Sequence, residues 1–227
     1  GIADILSGQI ELAEIDEQRK MREKAELKAL RAQINPHFLF NTINIIMSLC
    51  RTAPTTARDL LAHLANILHH SFDKHGDFVS IEEELEVINS YLEIAKARFG
   101  SRLTIISNID STALPVLIPI LSIQPLVENA IRHGLFPKIE DCSLTISVAR
   151  NPDYIEINVI DNGIGISNDN IARILNSETD GVGIQNVNKR LRAIYGDEWG
   201  LKIDSRPDCG TAMQIRIPPE GGISYAC

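Results

Sequence analysis

The chain has 227 residues, 44% of them apolar and 23% charged, an ordinary soluble composition that can bury the core of one or two small domains. Its net charge of −8 argues against a broad nucleic-acid-binding face and leaves room only for local basic patches. No run of about 18 apolar residues predicts a membrane span, and no basic segment precedes an apolar stretch at the start, as a signal peptide would need.

Residues 2–34 contain no proline, and Gly8 is their only interior break, so a long helix is expected. Leu27, Leu30 and Ile34 follow the three–four spacing of a helix–helix seam, and Ile5, Leu12 and Ile15 follow it less regularly. One such helix cannot bury its stripe alone. A dimeric coiled coil is expected, with packing against its own chain as the alternative. The start reads as already helical, which suggests a piece of a longer protein.

"LRAQINPHFLFNTINIIMSLC" (30–50) continues as helix, yet Pro36 sits inside it and His37 comes directly after, flanked by Asn35 and Asn41. A proline there removes a helix hydrogen bond and crowds the turn before it, so a bend or loosening is predicted beside the histidine. Asn35 also reads as a plain N-cap before Pro36. Pro54 suits the first turn of a second helix, in which Leu60, Leu61, Leu64, Ile67 and Leu68 make one apolar face through His70. The two helices are expected to form an antiparallel hairpin, closed by a boundary at "DKHGD" (73–77). His63, His69, His70 and His75 lack the Pro-Asn setting and read as surface or packing residues.

"SIEEELEVINSYLEIAKARFG" comes next, with Ser80 and Glu83 at capping-box spacing and Gly100 as a C-terminal stop. From Leu103 the texture alternates: "LTIISNID", "SLTISVAR", "YIEINVID", "LKIDS" and "TAMQIRIP" read as strands. Helical stretches fall at about 119–134 and 184–195. The strands come mostly in hairpin-like runs, which favours an α+β sandwich with helices on one face of a mixed sheet. The four cysteines (Cys50, Cys142, Cys209 and Cys227) are scattered without a CxxC pair, against a zinc cluster or redox dithiol and in keeping with a reducing compartment. The expected units are a coiled-coil helix (1–29), a hairpin (30–76), a compact domain (77–220) and a tail (221–227).

Three stretches carry chemistry. In "QPLVENAIRHG", helical spacing puts Glu128, Asn129, Arg132 and His133 along one edge. An amide oxygen there can complete the shell of a Mg²⁺ that keeps waters and phosphates, and an arginine one turn on can reach phosphate oxygens. In "DNGIGI", Gly163 and Gly165 permit backbone conformations other residues avoid. In "GVGIQNVNKRL", Gly181 and Gly183 lead into a helix N-terminus able to bind phosphate, with Lys189 and Arg190 on an exposed basic face. The polar stretch 166–180 between them suits a lid. Neither glycine pair completes a dinucleotide fingerprint, and no P-loop is present.

Together these stretches resemble the GHKL ATPase superfamily: "LVENAIRHG" its N box, "DNGIGI" its G1 box, "GVGIQN" its G2 box and "GTAMQI" its final strand. The resemblance implies a Bergerat-type sandwich that binds ATP and Mg²⁺. Asp161 would hydrogen-bond the adenine amine, with Thr211 supporting the base. Asn129 would bind Mg²⁺, Arg132 would reach phosphate and His133 would lie beside the nucleotide. "NPHFLFN" further resembles the phosphoacceptor region of LytS/YesM-type sensor histidine kinases, which implies a homodimer that phosphorylates His37 and passes the phosphoryl group to a response regulator aspartate. Hydrolytic members carry a general-base glutamate where Pro125 stands, so fast water activation is not expected; Glu128 is a base or a supporting group. The fragment would be the cytoplasmic portion of a bacterial plasma-membrane protein, touching neither nucleic acid nor membrane. A dimeric nucleotide-binding relay without transfer is the alternative, and a mechanochemical ATPase of the same superfamily a third.

Overall fold

The structure, a computed structural model, describes residues 36–72, 76–176 and 182–220. The coiled coil expected over 1–29, the bend on the N-terminal side of Pro36, Asn35, Gly181 and the tail 221–227 lie outside the described residues.

Two helices open it, α1 (Pro36–Thr52) and α2 (Pro54–Phe72). The second begins on a proline, which needs no hydrogen-bond partner at a helix's first position. One residue, Ala53, joins them: its amide donates to the Leu49 carbonyl (2.8 Å) and its carbonyl accepts from Ala57 (3.0 Å). Then β1 (Phe78–Ser80) leads into α3 (Ile81–Phe99), whose capping box is formed as expected. The Ser80 amide donates to Glu83 Oε2 (2.7 Å) and the Glu83 amide donates to Ser80 Oγ (3.1 Å). Gly100 closes α3 at φ +63°, which glycine adopts without strain.

The α1–α2 hairpin does not stand apart from α3. Ile46, Ala57, Leu60, Leu64 and Ile67 join the same core as that helix. Across the contact Asn66 Nδ2 donates to Ser90 Oγ (2.9 Å), and Phe38 stacks on Tyr91 with ring centroids 5.0 Å apart. The hairpin and the domain that follows it therefore share one core.

The sheet has five strands in the order β2 (Leu103–Ile109), β4 (Cys142–Arg150), β5 (Ile155–Asp161), β7 (Thr211–Ile217) and β6 (Lys202–Ser205). β2 runs parallel to β4 and the remaining pairs are antiparallel. The parallel pair requires a crossover, and the chain between its strands supplies one. That crossover contains β3 (Leu117–Pro119), which pairs with β1, and α4 (Gln124–Asn129). Inward positions alternate as the sequence indicates: Leu144, Ile146 and Val148, then Ile155, Ile157 and Val159, then Met213, Ile215 and Ile217 are buried. Outward positions carry a polar ladder in which Gln214 donates to Asn158, and Asn158 to Ser147. Helices α3, α4 and α6 (Val182–Tyr195) cover the inner face with Ile88, Leu126, Val127, Val187 and Leu191. This is the α+β sandwich with a mixed sheet that the sequence predicts.

Two local features differ from the sequence expectation. The helix expected over 119–134 is a short α4 that passes into a π-helical turn at Ala130–Leu135, where the Phe136 amide donates to the Ile131 carbonyl (2.9 Å). Within the lid stretch, α5 (Asn168–Asn176) is formed. No helix among the described residues is long and apolar enough to cross a membrane.

Candidate functional site

Asp161 ends β5 opposite Thr211, the first residue of β7, so two neighbouring strands deliver a carboxylate and a hydroxyl to one spot. The Asp161 Oδ1 accepts the Gly163 amide at 2.8 Å. Burial pushes the Asp161 carboxyl above the usual carboxylate range, while the amides of Gly163 and Thr211 and the Lys138 charge pull the other way.

Glycines make the enclosure possible. A Cβ on Gly134 would lie 2.7 Å from Asp161 Oδ1, one on Gly163 2.3 Å from the Gly134 carbonyl and one on Gly210 2.1 Å from the Asp161 carbonyl. The loop is tied on both sides: the Ile164 amide donates to the Gly134 carbonyl (3.1 Å), and the Ile164 carbonyl accepts from Asp208 (2.8 Å). Ser205 Oγ donates to the Gly210 carbonyl (2.7 Å), accepts from the Ile166 amide (2.8 Å) and lies 2.9 Å from Thr211 Oγ1.

Beside these groups lies a cavity of ≈ 560 Å³, within the range of small-molecule and cofactor pockets. Asn129, His133, Asp161, Gly165 and Thr211 line it, as the motifs anticipate. So do Gly134 from the π turn and Ser167, Asn170 and Arg173 from the segment carrying α5. Burial first, and then the Arg132 charge, hold the His133 ring below its usual pKa, so it is neutral near pH 7.

Arg132 and Glu128 are absent from that lining. In an α-helix, residues 128, 129, 132 and 133 would share an edge; the π turn changes the offset from residue 130 onward. Arg132 instead lines a second cavity of ≈ 210 Å³, between α1, α3 and the π turn. Phe38, Asn41 and Thr42 of α1 form one wall and Tyr91 and Arg98 of α3 another; His133 lines both cavities. Glu128 accepts from Gln124 Nε2 at 2.7 Å, and burial raises its pKa. Gly183 lies outside the cavity lining, and a Cβ there would sit 3.5 Å from the Pro125 side chain. Arg190 is not on an exposed basic face. It is partly buried and donates to the Leu121 carbonyl at 2.7 Å, while Lys189 is exposed.

Residues 25–103 match the histidine kinase family, and residues 120–221 match the family of histidine kinase-, DNA gyrase B- and HSP90-like ATPases. Sensor protein LytS of Bacillus subtilis is 37% identical over 225 residues, which is 96% of this chain and 38% of that protein. The chain belongs to the LytS-type sensor histidine kinases. Sensor histidine kinase YpdA of Escherichia coli is 42% identical over 221 residues, again 96% of this chain and 38% of the relative. The LytS-type chain thus spans about two fifths of the length of the curated relatives it matches. The histidine kinase domain of the Erythrobacter litoralis blue-light activated kinase aligns with 88% of the chain and 94% of its own, with a TM-score of 0.46 and 14% identity.

Within this LytS-type domain, Gly134, Gly210, Ser205 and Arg173 are site residues that sequence reasoning did not single out. The two glycines stand inside recognised motifs, so their position was the available signal. Arg173, which lines the cavity, and Ser205, which meets Thr211 behind it, carry none, because only the fold brings them there.

Proposed function

We propose that the chain is the transmitter of a two-component sensor: it uses Mg-ATP to phosphorylate His37 and hands the phosphoryl group to an aspartate of a response regulator. The observation that carries this is the buried Asp161 carboxylate, sharing one cavity with Asn129 and Thr211, beside a seam walled by the helix that bears residue 37.

The donor set fits the nucleotide. Asp161 accepts from the adenine amine, and Thr211 and Ser205 hold its strand end. Asn129 offers an amide oxygen, a hard ligand suited to Mg²⁺. No cluster of three His, Cys, Asp or Glu able to hold a metal ion occurs among the described residues. Asn129 would therefore hold Mg²⁺ together with phosphate oxygens and water. Mg²⁺ supplies charge neutralisation at the phosphates. His133 and Arg173 flank the same space, Gly181 and Gly183 would let the chain approach the phosphates, and Arg132 stands on the seam side, toward the acceptor helix.

At neutral pH an imidazole nitrogen keeps its lone pair. His37 takes the γ-phosphoryl group as the bond from phosphorus to the bridging oxygen breaks and ADP leaves. The ring proton passes to Glu128 or to water, in the latter case with Glu128 as a supporting group, and Asn35 and Asn41 orient the imidazole. The regulator's carboxylate then accepts the phosphoryl group and His37 is regenerated.

The same reading makes the protein a homodimer. Phe40 (68% exposed), Ile43 and Met47 (60%) follow three–four spacing along α1, and Leu61 (55%) projects from α2. Such a stripe is suited to a second copy in a four-helix bundle. Residues 1–29 would carry the signal as a coiled coil, 30–76 would dimerise and present His37, 77–220 would bind ATP and 221–227 would be a tail. The input domain would lie upstream in the plasma membrane, with this portion in the cytoplasm. Incubation with radiolabelled ATP tests the reading. Acid-labile, base-stable label is expected; ATP binding without such label would leave the nucleotide-binding relay instead.

A further inference from the structure

Glu84 lies on α3, outside every motif of the nucleotide site, yet its carboxylate is buried at 5% exposure. Its Oε1 accepts the Ser122 amide (2.8 Å), and its Oε2 accepts the amides of Ile123 (2.7 Å) and Gln124 (3.3 Å). These are the donors that the start of α4 leaves without helical partners. Ile123 gives no side-chain cap, and Pro125 has no amide to offer. A side chain from another helix therefore does the capping, and a negative charge suits a helix N-terminus.

A third element closes the arrangement. Arg190 of α6 donates Nη2 to the carbonyl of Leu121, which sits at φ +60°, a conformation a leucine rarely adopts. The Arg190 Nε is buried without a hydrogen-bond partner, and its charge acts on Glu84. Burial raises the Glu84 pKa, against the pull of the three amides and of Arg190. Both carboxyl oxygens face N–H donors, the arrangement of an ionised carboxylate. Helix α6 also lies beside this point, where a Cβ on Gly183 would sit 3.5 Å from the Pro125 side chain.

We infer that Glu84, with Arg190, is a positioning residue that seats α4 and thereby holds Asn129 where the nucleotide's metal ion must be met. Asn129 lies five residues beyond Gln124 on a helix of fewer than two turns, so a displaced N-terminus displaces the ligand. Asp161 is independent of the clamp, because it rides on β5 between β4 and β7. The two ends of the site should separate when Glu84 is changed. This rests on the proposed ATP site.

The test uses the 227-residue chain and calorimetric titration with Mg-ATP, ATP in EDTA and adenosine, alongside thermal unfolding without ligand. Glu84→Gln replaces one acceptor oxygen by an amide facing N–H groups. By analogy with residues that orient metal ligands, Mg-ATP affinity should fall about 10- to 100-fold, while adenosine affinity is unchanged. A merely structural role would weaken all three ligands together or leave all three unaltered, and either result overturns the inference. Should Glu84→Gln not fold, Arg190→Gln decides on the same criterion, a selective Mg-ATP loss supporting the clamp and an even or absent loss overturning it. Wild-type protein that fails to bind Mg-ATP would overturn the ATP-site reading itself, a distinguishable result.

Discussion

Phe38, the residue after His37, stacks on Tyr91 of α3 with centroids 5.0 Å apart and planes inclined by 30°. The acceptor helix is thus held to the ATP-binding domain next to the proposed phosphoacceptor. Such a pair contributes about 0.5–1.5 kcal/mol beyond its buried area. Tyr91→Leu keeps an apolar side chain and loses the stack. It should leave ATP affinity unchanged and raise the single-turnover labelling rate, because α1 is freed to approach the nucleotide. A rate at or below wild type would mean that the stack holds the productive arrangement.

His37→Gln should abolish acid-labile labelling and leave ATP affinity intact. Label that survives this change and disappears on replacing His63 or His69 would move the acceptor elsewhere.

Asp161→Asn separates binding from stability. Loss of a hydrogen bond to a charged group costs about 1.5–3 kcal/mol, roughly ten- to hundredfold in ATP affinity. The unliganded variant should nevertheless melt higher at pH 7. Burial raises the folded-state pKa of Asp161, so ionisation opposes folding above that pKa, and the penalty vanishes as pH falls below the unfolded value. An amide avoids the penalty, so the gain in Tm should shrink with acidification. Melting scans at pH 4 and pH 7 check the sign, and a variant that melts lower at pH 7 contradicts it.

Gly163→Ala would put a methyl carbon 2.3 Å from the Gly134 carbonyl, where only backbone can yield. Overpacking of this kind costs about 1–3 kcal/mol. Denaturant titration should show that loss, and ATP affinity should fall with it as the Asp161 loop is pushed from the π turn. An unaltered midpoint would mean that the loop relaxes freely.

Met47→Glu places a charge in the exposed stripe of α1. Light scattering should report a shift from dimer to monomer, with ATP affinity per chain unchanged. A persistent dimer would place the interface elsewhere.

Local structure was legible in the order of residues alone. Period-two alternation set the five sheet strands to within a residue or two, and the Ser80–Glu83 spacing set the start of α3. Among the motif glycines, Gly163, Gly165 and Gly210 marked where the backbone must pass close, because a Cβ there meets backbone atoms. What the sequence could not decide depends on contacts between residues far apart in the chain. Arg132 and His133 are neighbours in the π turn, yet only His133 reaches the larger cavity; Arg132 lines the smaller one alone. Arg173 reaches the cavity only when α5 closes over it, and Ser205 meets Thr211 of its lining only when β6 pairs with β7. Glu84 reads locally as one more acid in the first turn of an amphipathic helix. Only tertiary folding brings it against the bare amides of α4, 38 to 40 residues away, and makes an ordinary glutamate the cap of another helix.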